Sequence, residues 1–310
     1  MDSINNQFTH FKVHTQYSIC EGALKIENLK NFCKENKIRS IGLSDTSNLC
    51  GALEFSENIS KSGTQPIIGT QILFKYKDIP GLLPLIAKNE NGYKHIIKLS
   101  SNSYLNSKKG STPFCNLNEL LENQTNNIII LSGSINGLFG DMFNKDRIDD
   151  IKNLYQSFKK KFIDNFYIEI QRHEDQNEKN FEIFNLQESN INNIPIIASH
   201  EVFYLDKSMS EAHDVLMCIR NKNYLNEKNR IKLSDQHYFK SSSEMIDLFS
   251  DLPEALENNF NLPFRCSFKP NFSKPILPRI SSSEKDPNEM LKQLSIEGLN
   301  DKFKLVFDID

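Results

Sequence analysis

The chain has 310 residues, of which 38% are hydrophobic and 25% are charged, as is typical of a globular protein with one large domain or two smaller ones. Its 37 lysines and arginines against 40 aspartates and glutamates give a net charge of −3, which excludes a strongly basic nucleic-acid-binding chain. No apolar run approaches the ~20 residues of a membrane-spanning helix, and the first residues are polar. The six cysteines form no Cys-x-x-Cys pair, so we expect reduced thiols, a cytoplasmic location and no membrane partner.

Short apolar segments alternate with helical patterns along roughly the first 200 residues. The first predicted strand, FKVHT, precedes a helical pattern in ALKIENLKNFCKENK, and the buried strand IRSIGLSD precedes the helix ALEFSENISKSG. The other predicted strands are QPIIGTQILF, GLLPLIAKN, NNIIILSG, NFYIEIQR and NIPIIASHEVFY. A further helix, GYKHIIKLSSNSYL, follows the fourth strand. The glycines of LSGSINGLFG, residues 131–140, lack the spacing and the lysine of a phosphate-binding loop, so this stretch is predicted to be an ordinary loop.

Most of these strands are continuous apolar runs, which predicts parallel strands covered on both faces by helices. Seven strands alternating with helices fit an α/β fold, either a (β/α) barrel or a doubly wound sheet. After Leu205 the pattern is helical, and FKPNFSKPILPRISSSEKDP then combines prolines and serines as a linker does. We therefore predict one domain over residues 1–268. The segment 269–310, with the helix NEMLKQLSIEGLNDKF, is expected to begin a structure that the chain does not complete.

Polar side chains follow the ends of four separate predicted strands. These residues are His14, Asp45, His173 and Glu201. Because the carboxyl ends of barrel strands meet on one face, we expect the four side chains to converge there. Histidines and carboxylates in such a cluster suit Zn²⁺, Mn²⁺ or iron in a hydrolytic site. The four residues therefore form a candidate metal site.

Each candidate also has a second interpretation. His14 could be a hydrogen-bonded core histidine, and Asp45 could cap the following helix. His173 could lie in an exposed loop, and Glu201 could be the polar end of a strand. Three further histidines are expected to be structural or surface residues: His95, His213 and His237.

Several segments carry a resemblance to a known family. They are HFKVHTQYSICEGA, IGLSDTSNLCGALEFS, QPIIGTQ, LIAKNENGYKHIIKLSS, FYIEIQRH, IPIIASHEVFYL and AHDVLMCIRN. In this order they resemble the N-terminal PHP (polymerase and histidinol phosphatase) domain of bacterial replicative DNA polymerase III alpha subunits, over nearly the whole chain. The resemblance implies a distorted seven-stranded (β/α) barrel of PHP type over residues 1–268. It also implies a helical segment, and then a linker and the entry into the polymerase palm over residues 269–310.

The sequence departs from the metal-binding version of this family. Positions that would carry ligands hold other residues, namely Lys12, Thr46, Gln71, Leu82 and Phe203. Four positions remain capable of ligation, which are His14, Asp45, His173 and Glu201. Clustered carboxylates without a metal would repel one another. We therefore predict that the ammonium of Lys12 pairs with Asp45 or Glu201 and replaces the metal.

The resemblance implies DNA replication, with the rest of the alpha subunit, DNA and the proofreading exonuclease (epsilon) subunit as partners. We expect this chain alone to bind no cofactor and to have no polymerase or hydrolase activity, and Mg²⁺ to serve the parent polymerase. The terminal Asp308 and Asp310 resemble a polymerase Asp-x-Asp pair but fall before the catalytic palm region. The alternative is a metal-dependent phosphoesterase, a 3′–5′ exonuclease or a histidinol-phosphatase-like enzyme, using Zn²⁺ or Mn²⁺ at the four remaining ligands.

Overall fold

The structure is a computed structural model that describes residues 7–122, 126–275 and 286–307. Its strands in these ranges are β1 (Lys12–Val13), β2 (Ser40–Thr46), β3 (Gln65–Tyr76), β4 (Ile79–Ala87), β5 (Cys115–Asn116), β6 (Ile128–Leu131), β7 (Phe166–Ile170), β8 (Ile196–Ala198) and β9 (Glu201–Val202). Its helices are α1 (Ile26–Glu35), α2 (Ala52–Lys61), α3 (Glu90–Leu105), α4 (Leu117–Glu122), α5 (Leu138–Asn144), α6 (Ile148–Phe162), α7 (Glu178–Asn192), α8 (Ser210–Asn221), α9 (Ser242–Leu248), α10 (Pro253–Asn261) and α11 (Pro287–Phe307).

All seven predicted strands are present. The last of them divides into β8 and β9, and β5 is a two-residue strand that pairs with β3. The sheet order is β8-β7-β6-β4-β3-β2-β1-β9. Its two ends belong to one short segment, residues 196–202, which pairs with β7 through β8 and with β1 through β9. This segment closes the sheet into a distorted (β/α) barrel, and the predicted fold class is confirmed.

The prediction of parallel strands fails at β4. β4 pairs antiparallel with both β3 and β6, whereas β1, β2, β3, β6, β7, β8 and β9 form parallel pairs with their other neighbours. Only residues 77–78 separate β3 from β4. A two-residue connection forms a hairpin, since a parallel pair needs a crossover of a dozen residues or more.

The side chains inside the barrel are apolar at one end and polar at the other. Ile67 of β3 and Tyr167 of β7 belong to one buried cluster with Ile129 and Ile197. Because side chains alternate along a strand, Gln71 shares the face of Ile67, and Glu169 shares the face of Tyr167. The apolar residues thus fill one end of the barrel, and polar side chains follow toward the carboxyl ends of the parallel strands.

The glycine-containing stretch 131–140 is only partly the loop that was predicted. The loop extends to Gly137, after which α5 begins at Leu138. A Cβ atom at Gly81 would lie 2.3 Å from Leu138 Cα, so the backbone of β4 contacts the start of this helix directly. The glycines of this stretch predicted a loop throughout, so no local pattern indicated that α5 begins at Leu138.

The chain divides into two compact units, residues 1–271 and 272–310. Lys269 Nζ lies 3.2 Å from Ser60 Oγ, and the carbonyl of Pro270 accepts a hydrogen bond from Ser56 at 3.0 Å, which ties these residues to α2. In the second unit, α11 has no buried side chain. Asp308 and Asp310 lie outside the described residues. Among the described helices, none has both the length and the apolar character required to cross a bilayer.

Candidate functional site

Lys12 points into the barrel from β1 and is 1% exposed. Its ammonium lies 3.5 Å from Glu169 Oε1 on β7 and 3.4 Å from Glu201 Oε1 on β9. Burial alone would lower the pKa of Lys12, but the two carboxylates outweigh it and raise that pKa above its usual value. The ammonium therefore stays charged near neutral pH and cannot act as a base.

The Glu201 carboxylate contacts three side chains. Besides Lys12, its Oε1 lies 2.9 Å from His14 Nε2 and accepts a hydrogen bond from the amide of Gln71. Burial raises the pKa of a carboxyl, but Lys12 and the hydrogen bonds from His14 and Gln71 hold the pKa of Glu201 well below its usual value. We call Lys12, His14, Gln71, Glu169 and Glu201 the polar layer.

Asp45 is fully buried beside the polar layer at the end of β2. It accepts hydrogen bonds from the Thr15 amide at 2.7 Å, the Thr15 hydroxyl at 2.8 Å and the Ser18 hydroxyl at 2.7 Å. Ser18 Oγ also lies 3.2 Å from His14 Nδ1. Burial raises the pKa of Asp45 despite these bonds. Asp45 thus supports the loop after β1 rather than capping α2, which begins after Gly51 without a side-chain cap.

His173 is 1% exposed and is not in an exposed loop. Its Nε2 accepts a hydrogen bond from the Glu201 amide at 3.1 Å, and its Nδ1 lies 3.2 Å from Glu178 Oε1. The ring stacks on His237 at 4.1 Å and on His200 at 4.4 Å between centroids. Burial, and then repulsion by His237 and His200, hold the pKa of His173 well below its usual value.

The structure therefore brings the four candidate ligands into one connected network, although not around one point. His14 contacts the Glu201 carboxylate, Asp45 is linked to His14 through Ser18, and His173 contacts the Glu201 backbone. Lys12 pairs with Glu201, one of its two predicted partners, and with Glu169 instead of Asp45.

The positions without ligand character have new contacts. Gln71 donates to Glu201, and the ring of Phe203 packs on His14 at 4.5 Å between centroids. Thr46 Oγ1 is buried and makes no hydrogen bond to the described residues. Leu82 is partly buried on β4.

Sequence reasoning missed Glu169, Ser18 and the stacking of His200 and His237 on His173. A signal for Glu169 was available, because a glutamate within the apolar strand FYIEI is rarely buried without a partner. For the two stacked histidines no local signal existed, since His237 follows α8 in an irregular segment and meets His173 only through the fold.

The donor set of the polar layer does not fit a divalent cation. An ammonium already lies within 3.5 Å of both carboxylates, where a metal would meet like-charge repulsion. Within residues 7–122, 126–275 and 286–307, no group of three or more His, Cys, Asp or Glu side chains is placed to hold a metal ion. The arrangement neutralises buried carboxylates and joins β1, β3, β7 and β9.

Comparisons with known proteins place this geometry in context. The family model of the PHP domain matches residues 10–173. DNA polymerase III subunit alpha of Rickettsia conorii is 35% identical over 297 residues, covering 94% of this chain and 25% of that protein. The subunit of Borreliella burgdorferi is 35% identical over 319 residues, covering 97% and 28%. The chain thus spans about a quarter of the length of the curated relatives it matches.

Among solved structures, a candidate metal-dependent phosphoesterase from Bifidobacterium adolescentis covers 78% of this chain and 96% of its own. It is 11% identical, with a TM-score of 0.43, and a likeness at this level supports no conclusion about a reaction.

Proposed function

Since the chain belongs to the PHP domain family, we propose that it is the PHP-containing part of a DNA polymerase III alpha subunit, acting in DNA replication in the cytoplasm. The observation that carries this proposal is the similarity to such subunits along 94–97% of the chain. Residues 1–268 are the PHP domain in this proposal, and residues 269–310 are the linker and the entry into the palm. Polymerase activity, with its Mg²⁺ and its DNA, belongs to the rest of the subunit.

Within that subunit, the barrel is a scaffold whose metal site has been replaced by an internal ion pair. The candidate remnant ligands are His14, Asp45, His173 and Glu201, and Lys12 provides the replacement charge. The contacts of Lys12 with Glu169 and Glu201 support this, because one buried cation compensates carboxylates that would otherwise need a metal. A metal-dependent phosphoesterase or exonuclease reaction needs a bound metal that activates water, for which this donor set is unsuited.

Metal content is the first test of the replaced site. The purified chain is incubated with Zn²⁺ and Mn²⁺, desalted and analysed by mass spectrometry. We expect less than about 0.1 metal per chain. About one metal per chain, lost when His14→Ala and Asp45→Ala are combined, would contradict the replacement and favour the hydrolase alternative. The matched control combines His95→Ala with Asp149→Ala, which lie outside the polar layer.

The scaffold role includes docking of the proofreading exonuclease subunit. We expect the chain to co-elute with the purified exonuclease subunit of the same bacterium in gel filtration. Separate elution of the two wild-type proteins at micromolar concentrations would refute docking on this part of the subunit.

A further inference from the structure

The outer face of α8 and the turn after it expose large apolar side chains. Ile219 is 64% exposed, Tyr224 is 76% exposed and Leu225 is 54% exposed, with Val215 beside them at 41%. These four line a shallow, open groove of about 600 Å³, to which Cys218 contributes a buried wall. We call this the α8 groove. Apolar residues gathered on one exposed surface, instead of scattered singly, are typical of interaction sites.

The inner side of α8 is already held by the barrel. His213 Nε2 lies 2.8 Å from the carbonyl oxygen of Glu21, and Arg220 forms an ion pair with the Glu21 carboxylate at 2.9 Å. Cys218 is 6% exposed on the same helix. These contacts hold α8 to the loop after β1 through its inner side. The apolar side chains on its outer side are therefore exposed while the helix is in its packed position.

Hydrogen bonds hold the turn that completes the groove to α8. Lys222 ends α8 with a φ of 56°, and the Asn223 amide then donates to the Cys218 carbonyl at 3.0 Å. Arg230 donates to the Leu225 carbonyl at 3.2 Å and forms two bonds with the Asp214 carboxylate. A groove held by such bonds needs little ordering on binding, which favours affinity.

The segment of residues 219–232, which forms part of the α8 groove, is cationic although the whole chain is acidic. Residues 219–232 contain five lysines and arginines and one glutamate, hence a charge of +4 against −3 for the chain. Arg220 and Arg230 are compensated by Glu21 and Asp214. The three lysines of this segment, Lys222, Lys228 and Lys232, form no ion pair with any residue that the structure describes, and Lys222 lines the α8 groove. Carboxylates on a partner would meet uncompensated positive charge here.

We propose that the α8 groove docks a peptide segment of another protein that carries two or three large apolar side chains flanked by carboxylates. Apolar anchors would fill the groove between Val215, Ile219 and Leu225, and the carboxylates would face Lys222 and its neighbours. The aliphatic lining favours a peptide over single-stranded nucleic acid, whose bases stack on aromatic faces, of which Tyr224 provides one. The inference rests on the docking role proposed above and adds the surface and the chemistry of the partner.

Selection from a phage-displayed library of random 16-residue peptides tests the groove without any exonuclease subunit. The immobilised full chain is the target, and synthetic versions of the enriched peptides are measured by fluorescence anisotropy. We expect enriched peptides to be acidic with apolar anchors, and binding to fall by about tenfold or more in Ile219→Ser and Leu225→Ser. Lys222→Glu should weaken binding at low salt more than at high salt.

Matched controls are Leu105→Ser, an 81% exposed leucine on α3, and Lys160→Glu on α6, both of which should bind the peptides as the wild type does. Failure to enrich any peptide, enrichment of peptides without acidic character, or equal binding by the groove variants overturns the proposal. A labelled dT20 oligonucleotide is measured in parallel. Tight oligonucleotide binding that is lost in Tyr224→Ser would assign the surface to nucleic acid and likewise overturn it. Exonuclease docking that survives Ile219→Ser would reject only the groove, whereas no docking of the wild type would reject the scaffold role.

Discussion

Lys12 occupies a fully buried position where a lysine requires compensation. Two glutamates contact its ammonium, and Glu201 receives further hydrogen bonds from His14 and Gln71. Removing one member of a buried ion pair leaves an uncompensated charge, which costs more than the pair itself contributes. The stability of the barrel should therefore depend strongly on this one side chain.

Lys12→Met keeps much of the side-chain volume but removes the charge. We expect the free energy of unfolding at pH 7 to fall by about 3 kcal/mol or more, because Glu169 and Glu201 lose their cation. Urea unfolding followed by circular dichroism measures the change. Lys77→Met is the matched control, because Lys77 is half exposed and water screens its ion pair with Asp150, so that its loss should change stability far less. Equal effects of the two substitutions would refute a central role for Lys12.

His10 makes stability depend on pH. Burial lowers its pKa to about 4, although its bond to the Lys240 carbonyl opposes the shift. In the unfolded chain a histidine binds its proton near pH 6.5, whereas folded His10 binds it only near pH 4. The unfolded state therefore gains protons first, and stability is lost as the pH falls through this window.

Between pH 7.5 and pH 5, His10 should account for a loss of about 2 kcal/mol in the free energy of unfolding. In His10→Gln this contribution disappears, so the difference in stability between the two pH values should shrink by that amount. Urea titrations at both pH values provide the measurement. An unchanged pH dependence in the variant would show that His10 does not titrate in this way.

Among the secondary-structure elements, the end of α6 is under local backbone strain. Ile163 follows this helix with a φ of 51° and a ψ of −106°, which is an unfavourable backbone for a β-branched residue. Its side chain is 54% exposed, so its packing contributes little. The turn leads directly into β7, which carries Glu169, and the strain is therefore stored next to a strand of the polar layer.

Ile163→Gly should raise the free energy of unfolding by about 1 kcal/mol, because glycine adopts positive φ without a steric cost. Thermal unfolding should show a midpoint a few degrees higher. Ile183→Gly is the matched control, since Ile183 is 49% exposed but lies within α7, where glycine costs about 1 kcal/mol. Destabilisation by both substitutions would mean that the turn is not strained.

For the molecule as a whole, the buried core belongs to the first unit. Its three apolar clusters draw their buried residues from Phe8 to Cys266. Residues 269 and 270 bond to α2, so the unit extends to Asn271. The first unit therefore contains every buried residue of the three apolar clusters that stabilise the barrel.

A chain of residues 1–271 should fold alone and unfold in one transition. Its urea midpoint should match that of the barrel transition in the full chain, since no residue of the apolar clusters has been removed. A second variant that ends at residue 268 loses the bonds of Lys269 and Pro270 and should be slightly less stable. Aggregation of the 1–271 chain, or a broad non-cooperative transition, would contradict this expectation.

The sequence by itself determined the strands, the α/β class, the family resemblance and the positions of Lys12, His14 and Glu201. These features depend on local apolar patterns and on motifs within short segments. The direction of β4 follows from its two-residue connection to β3, which permits only an antiparallel hairpin. Only the tertiary structure decided that Glu169 shares the Lys12 ammonium and that His237 stacks on His173. The physical reason is that these two contacts join residues more than sixty positions apart in the chain, so no local pattern specifies them. Barrel closure by residues 196–202 brings these side chains together.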